Sequence, residues 1–479
     1  MSELPKGWVA CTPSDLANDP KNEIVDGPFG SNLKASEYTD EGTPIVRIQN
    51  VKRMAFLDKN IKYVTDEKAE FLKRHSFKSG DLLITKLGEP LGLTCIAPEH
   101  LNEGIIVADI VRFRPNPEVN RKCLAYFLNS EKAIKQINEH TKGSTRARIN
   151  LSVVRNLDIS LPPLAEQKRI VEKLDEVLAQ VDTIKARLDG IPVLLKRFRQ
   201  SVLTSAVSGK LTEEWRGEVE SVDSPYCVDW KWPKVPLSWE VKQYPELVDS
   251  RLGKMLDKAK NQGVSTKYLG NINVRWFEFD LKSVQEILIS EKEQQELQLV
   301  KGDVLICEGG EPGRCAVWRS NSGEQIIFQK ALHRARVKDE IIPEWLALNL
   351  KNDADALTLN QLFTGTTIKH LTGKALKCYP IRVPPLEEQK EIVRLVEQYF
   401  VFADTIEAQV KKAQAKVDNL TQSILAKAFR GELVLQDPND ESADKLLERI
   451  AKAREEAEAL AKAAKKVQAA KKRAAKATK

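Results

Sequence analysis

Two stretches of this chain are nearly the same stretch. Leu161 to Val171 reads LPPLAEQKRIV and Val383 to Val393 reads VPPLEEQKEIV, identical at eight of eleven positions and 222 residues apart. Downstream of each, apolar residues return at alternating steps of four and three. They are Ile170, Leu174, Val177, Val181, Ile184, Leu188, Ile191, Leu195, Phe198 and Val202 in the first copy. In the second they are Ile392, Val396, Tyr399, Ala403, Ile406, Val410, Ala413, Val417, Leu420 and Ile424. A stripe of two positions in seven is a coiled-coil seam, not the broad face of a helix lying on a core. Both copies close on Gln-Ser-x-Leu-x-x-Ala-x-x-Gly-x-Leu, ending at Gly209 and Gly431, and glycine suits the left-handed stop of a helix. Both open on a Pro-Pro pair whose second proline fits the first helical position, where no amide partner is needed. Glu166 and Glu388 follow in or beside the first turn, where the helix dipole favours a carboxylate. The chain must therefore accommodate two equivalent long helices, each with a seam to cover.

The segments ahead of the helices repeat too. Pro5-Lys6-Gly7-Trp8 answers to Pro236-Leu237-Ser238-Trp239, Gly80-Asp81-Leu82-Leu83-Ile84 to Gly302-Asp303-Val304-Leu305-Ile306, and Gly143-Ser144-Thr145 to Gly365-Thr366-Thr367. Short apolar runs bounded by Gly and Pro at 45–51, 82–85, 105–108 and 111–114 read as strands, and 124–139 has helical periodicity. The predicted organisation is a mixed α/β domain over 1–160, a long helix over 161–210 and an aperiodic connector over 211–235. A second α/β domain over 236–382, a second long helix over 383–435 and a basic Ala/Lys-rich tail over 436–479 complete it. Alternation of domain and helix predicts an antiparallel coiled coil separating two similar α/β domains, with an approximate two-fold relation. Duplex DNA has dyads of its own, and paired readers match spaced half-sites on it. Framework positions match between the domains while inserts differ. Gly27–Lys34 (GPFGSNLK) has no evident counterpart, and Arg251–Asn261 (RLGKMLDKAKN) stands in that region of the second copy.

Charge narrows the function once it is located. The net charge is +7, but residues 441–479 hold twelve Lys/Arg and six Asp/Glu, which is +6, leaving 7 − 6 = +1 for the rest. A chain that grips a long duplex alone usually carries a strongly basic domain, so DNA binding here implies shared phosphate contacts. Seven scattered cysteines without a CxxC pair read as free thiols of a reducing cytoplasm. The five separated histidines offer no zinc spacing, so neither metal nor cofactor is expected. No apolar run reaches the roughly 18 residues of a membrane span.

Taken together, the doubled Pro-Pro-Leu-x-Glu-Gln-Lys-x-Ile-Val, the doubled helix stop and the Gly-Ser-Thr/Gly-Thr-Thr element resemble the specificity subunit of type I restriction-modification systems, over nearly the whole chain. The resemblance implies two target recognition domains, each reading one half of an asymmetric bipartite double-stranded DNA site. It also implies that the paired helices set the unspecified gap and dock two DNA methyltransferase subunits, with restriction-translocase subunits joining that core. The long basic tail is a departure whose role the family pattern does not settle. Catalytic signatures are missing, as a non-catalytic subunit requires. Gly209-Lys210, Gly253-Lys254 and Gly373-Lys374 are followed by Leu, Met and Ala rather than by Ser or Thr, so no phosphate-binding P-loop exists. No Asp/Asn-Pro-Pro-aromatic tetrapeptide, expected of an amino-methyltransferase, occurs. A specificity subunit of another restriction-modification class, or a coiled-coil scaffold without DNA readout, remains an alternative at this point. Duplicated frames with divergent inserts count against the scaffold.

Four segments supply candidate DNA contacts. Lys142, Ser144, Thr145, Arg146 and Arg148 combine arginines suited to guanine edges with hydroxyls suited to phosphates. Thr366, Thr367, Lys369 and His370 occupy the equivalent place in the second domain. Arg251, Lys254, Lys258, Lys260 and Asn261 form a dense basic and amide set, whose ordinary reading is an exposed helix face. Ser31, Asn32 and Lys34 ride on a Gly-rich loop. Lys86 and Glu308, beside the Gly-Glu-Pro turns, are weaker candidates.

Overall fold

A computed structural model describes residues 4–29, 32–141, 147–217, 220–223, 226–257, 261–320 and 325–477. The chain divides into two compact units, Met1–Arg187 with Ala413–Lys479, and Leu188–Lys412. Each contains one of the repeated domains, and the two domains share one plan. In the first, β1 (Ile24–Asp26), β2 (Leu82–Thr85), β3 (Thr94–Ile96) and β4 (Ile110–Phe113) form an antiparallel sheet in the order β1-β4-β2-β3. In the second, β5 (Val248–Leu252), β6 (Val304–Cys307), β7 (Cys315–Val317) and β8 (Leu332–Val337) form the same sheet in the order β5-β8-β6-β7.

The central strands β2 and β6 are buried at every position, which is why they read as unbroken apolar runs and not as alternation. Leu82 and Ile84 face a core made with helices, while Leu83 faces a second sheet; Val304 and Ile306 against Leu305 repeat the division. That second sheet contains a parallel pair in each domain, Ile45 beside Ile105 and Lys267 beside Ile326. The Gly-Asp of each repeat is a framework device. Asp81 accepts two hydrogen bonds from Arg114, at 2.8 and 2.7 Å, and Asp303 accepts two from Arg336, at 2.8 and 2.9 Å. Each carboxylate also takes a backbone N–H three residues upstream at 2.8 Å. A buried carboxylate needs such partners.

The doubled Glu-Gln explains how the long helices α1 (Leu164–Val207) and α2 (Leu386–Ala428) are fixed. Each domain's first and last strands pair, Val9–Cys11 with Ile159–Leu161 and Glu240–Gln243 with Pro380–Val383, so each helix departs beside its domain's leading tryptophan. Trp8 Nε1 donates to Glu166 at 2.9 Å, and Trp239 Nε1 donates to Glu388 at 3.0 Å. Gln167 accepts from the Asn120 N–H and donates to the Pro162 carbonyl; Gln389 accepts from the Ile342 N–H and donates to the Pro384 carbonyl.

Within each unit the helix segments run antiparallel. In the first, Ile170, Leu174 and Val181 share a core with Ile424, Leu425 and Ala428, and Lys185 pairs with Asp418 at 2.6 Å. In the second, Val202, Leu203 and Ala206 share a core with Ile392 and Val396. There Phe198 packs edge-on to Tyr399, and Arg199 bridges Asp404 and Glu407. The seam is largely inward, but Ile184, Tyr399 and Leu420 remain exposed, because one partner helix covers only part of each turn. The helix stops are left-handed glycines at φ +78° and +77°. A side chain at Gly209 would strike Pro236, and one at Gly431 would strike Pro5.

Two observations differ from the sequence reading, and a third, on the tail, adds to it. The helical stretch 124–139 is two helices, Arg121–Leu128 and Glu131–Glu139, because Ser130 caps the second. Trp230 and Trp232, in the aperiodic stretch 211–235, lie in the second domain's core, and Trp232 lies against the Arg382 guanidinium, 4.1 Å from its ring centroid. The tail forms a helix, Ala443–Ala477. Its first turns dock on the first domain through Ala443, Leu446 and Ile450, with Arg454 donating to the carbonyls of Ser14 and Ala17.

Candidate nucleic-acid interface

Among the described residues, one end of the first domain's sheet gathers Asn32, Lys34 and Arg148. Edge strand β1 ends at Asp26, and Gly27 donates its N–H to the Ile110 carbonyl at 3.2 Å. A Cβ at Gly27 would lie 2.1 Å from the Val107 backbone, so only glycine allows the strand to turn here. Asn32 and Lys34 are exposed on the segment it launches. Beyond β2, the Ile149 N–H donates to the Lys86 carbonyl and the Gly88 N–H to that of Ala147, which places Arg148 beside Leu87. Half-exposed Arg148 reaches Asp109 at 3.0 Å. The side chain is thus half in solvent, and a guanidinium is the group that suits the O6/N7 edge of guanine. Lys86, by contrast, is buried, with its Nζ 2.6 Å from Asp26 and 4.3 Å from the centroid of the Phe29 ring. It supports the loop and presents no charge to a ligand.

The second domain builds the same frame with other side chains. Gly253 donates to the Leu332 carbonyl at 3.3 Å, and a Cβ there would lie 2.2 Å from the Phe328 oxygen. The described part of Arg251–Asn261 is not a helix face. Arg251 lies on edge strand β5, and Lys254 continues extended, its N–H donating to the Phe328 carbonyl. The local reason is that backbone pairing with β8 and with Phe328 and Gln329 claims this stretch. Both cations are also neutralised by the helix Glu291–Leu297. Arg251 meets Glu296 at 2.6 Å, and Lys254 pairs with Glu293, holding that carboxyl below its ordinary pKa. Asn261 donates its side-chain amide to the Met255 carbonyl. The Leu371 N–H donates to the Glu308 carbonyl, as Ile149 does to Lys86. This fixes a small hairpin in which Thr364 and His370 exchange backbone hydrogen bonds. Thr366, Thr367, Lys369 and His370 are all exposed on it, and Lys369 has no ion-pair partner among the described residues.

Ser31, Lys142, Ser144, Thr145, Arg146, Lys258 and Lys260 lie outside the described residues. Among the described residues no group of three or more metal-ligating side chains occurs, and no helix is long and apolar enough to cross a membrane. The arrangement offers hydroxyls, amides and cations on loops at one sheet end of each domain. That chemistry suits hydrogen bonding to base edges and phosphates. Sequence reasoning missed the equivalence of Gly27 and Gly253, because a single glycine carries no motif. The spacing of paired edge strands was the only available signal.

A family model described as type I restriction modification DNA specificity domain matches residues 23–193 and 236–415. The chain is 33% identical over 464 residues to the type I restriction enzyme EcoKI specificity subunit of Escherichia coli K12, covering 94% of this chain and 96% of that one. It is 33% identical over 442 residues to the EcoBI specificity subunit of Escherichia coli, covering 88% of each. Among solved structures, a chain of a type I R-M system superposes with a TM-score of 0.64 at 19% identity, over 90% of this chain and all of that one. The HsdS subunit of Thermoanaerobacter tengcongensis does so with a TM-score of 0.54 at 19% identity, over 90% and 98%. At such identities the structural likeness is one of fold.

Proposed function

This chain belongs to the type I restriction modification DNA specificity family, and from that premise we propose that it is the sequence-reading, non-catalytic subunit of such a system. Each domain reads one half of an asymmetric bipartite site in duplex DNA. Methyl transfer and cleavage come from partners, two DNA methyltransferase subunits and the restriction-translocase subunits. The assembly works in the cytoplasm, where its substrate is.

One observation carries the reading. The two domains repeat each other's backbone hydrogen bonds while changing the side chains on that frame, with exposed Arg148 answered by His370 and buried Lys86 by Glu308. Identical frames with unlike surfaces fit two unlike half-sites. In the first domain we assign Arg148, Asn32 and Lys34 to DNA contact, with Ser31, Lys142, Ser144, Thr145 and Arg146 on the same or adjoining segments. In the second we assign Thr366, Thr367, Lys369 and His370. Arg251 and Lys254, each paired with a glutamate as Arg148 is with Asp109, are assigned to the same surface, with Lys258, Lys260 and Asn261 following them in the chain. Phosphate contacts are shared with the partners, as the nearly neutral body requires.

The test is to express the chain with its methyltransferase subunits and map methylated bases across a genome. A single split motif with two unlike halves and a fixed gap is expected. A continuous or palindromic motif, or methylation without sequence preference, would overturn the reading.

A further inference from the structure

We propose that Phe29 and Met255 are the apolar reading tips of the two domains, each in contact with bases of its own half-site. The proposal rests on the sequence-reading function above and adds residues that motif analysis did not single out.

The equivalence of the two positions is fixed by backbone, not by sequence. Ile110 and Leu332 are framework equivalents, 222 residues apart, and they accept the N–H groups of Gly27 and Gly253. Both glycines end an edge strand, and both approach the opposing backbone too closely for any side chain. Two residues beyond each glycine stands a large apolar side chain in solvent, Phe29 at 52% exposure and Met255 at 57%, the latter the most exposed of three with Leu252 and Leu256. Pro28 and Lys254, between glycine and tip, are unlike, and so are Asn32 and Lys258 further on.

Single exposed apolar residues are ordinary on a protein surface. Recurrence at one backbone-defined position, in loops that have otherwise diverged, is not. An apolar tip left in water forfeits the burial that would stabilise the free protein, and contact with DNA restores it. Each tip also has its own support. The Lys86 ammonium, tied to Asp26 at 2.6 Å, lies 4.3 Å from the centroid of the Phe29 ring, a cation–π arrangement that holds the ring in place. In the second domain, where Glu308 replaces Lys86 and Leu252 takes the place of Asp26, Asn261 instead donates to the Met255 carbonyl at 3.3 Å. Phenylalanine on a fixed support and flexible methionine are apolar probes of different stringency. Such side chains meet bases in two ways, against the thymine methyl in the major groove or as a wedge at a base step. The shared chemistry is apolar contact with bases.

The experiment uses the full chain in complex with its methyltransferase subunits and a library in which each position of the wild-type site is varied. Phe29→Ala should lower discrimination about tenfold at one or two adjacent positions of one half-site, the usual scale for losing one base contact. Met255→Ala should do so only in the other half-site, and Phe29→Leu should retain most of the preference. Uracil in place of thymine separates the two modes. Against a methyl contact, wild type on uracil behaves as Phe29→Ala does on thymine. Against a wedge, uracil is read like thymine, and 2-aminopurine beside the step brightens with wild type only. Uniform weakening across all sequences, unchanged preference, or a fall in the melting temperature of the free variants that accounts for the loss would overturn the proposal. A wild-type complex without sequence preference would refute the sequence-reading function itself, and the tips with it.

Discussion

Glu166 and Glu388 occupy equivalent places at the starts of the two helices, yet replacing each with glutamine should cost very different amounts. Both carboxylates are buried and both accept from a tryptophan. Glu388 also accepts from Thr212 at 2.7 Å and forms an ion pair with Arg216, whose side chain is only 9% exposed. Arg216 gives its other nitrogen to the Gly209 carbonyl at 3.0 Å, tying the stop of α1 to the start of α2. Glu388→Gln keeps an acceptor for Trp239 but leaves a guanidinium buried without its counter-charge, which costs about 3–5 kcal/mol. Glu166 has no such partner: Oε1 is buried without a hydrogen bond, and Arg169 is engaged by Asp440 at 2.6 Å. Glu166→Gln loses one charge-assisted bond but also relieves the burial of a charge, a net of about 1 kcal/mol or less. The gap of at least about 2 kcal/mol corresponds to roughly a thirtyfold difference in equilibrium opening. Hydrogen exchange followed by mass spectrometry reads this directly, in peptides covering 205–217 and 383–396 against 161–174. Equal loss of protection in the two variants, or a greater loss for Glu166→Gln, would refute the argument that Arg216 and Glu388 form the tie.

Burial pushes the Glu166 carboxyl above its ordinary range despite the Trp8 hydrogen bond. Its folded pKa exceeds its unfolded one, so the stabilisation from protonation is complete below the unfolded value and lost as pH rises through the folded one. Urea midpoints of wild type should therefore gain, relative to Glu166→Gln, as pH falls from neutral into the carboxylate range. Arg148→Ala should disturb one half-site only, relaxing a position by about 1–3 kcal/mol where the arginine reads a base, as methylation of single-mismatch sites will show. Inserting four residues at matched places in α1 and α2 preserves the seam as a stutter and adds about 6 Å to each helix. Methylome mapping should then show a gap one or two base pairs longer between unchanged half-sites. Truncation after Leu460 removes eight cations and no acid, and the methylated sequence should stay the same, because a basic segment without apolar periodicity supplies charge to phosphates and no base readout.

The parts of this architecture that repeat are the parts a sequence discloses. The seam, the helix stops and the Gly-Asp strands stand out because two copies kept their spacing to the residue. The interface is less legible for three physical reasons. Gly27 and Gly253 are equivalent at a spacing of 226 rather than 222 (253 − 27), because the stretch leading to the Gly-Asp strand differs in length, which hides the register. Arg251 and Lys254 look like free cations until folding brings up Glu296 and Glu293, 45 and 39 residues away. Lys86 reads as a surface lysine, yet it lies buried against Asp26 and Phe29. Likewise Leu446 and Ile450 are two apolar residues in a charged tail, too few for a periodic signal, though both dock fully.

The contacts at the helix stops bear on how such a chain acquires new specificities. Gly209 rests on Pro236 and Trp239, and Gly431 rests on Pro5, so each stop is seated on the head of a domain by the same kind of joint. The Pro-x-x-Trp heads, the Glu-Gln sockets and the Gln-Ser-x-Leu ends are common to both halves. They therefore act as interchangeable fittings. A rearrangement that carries a whole domain, from its Pro-x-x-Trp to its Pro-Pro, delivers a part whose joints already match, with no compensating change in either helix. Recombination between genes can thus pair half-sites that have never been read together, while point mutation is left to adjust the loops.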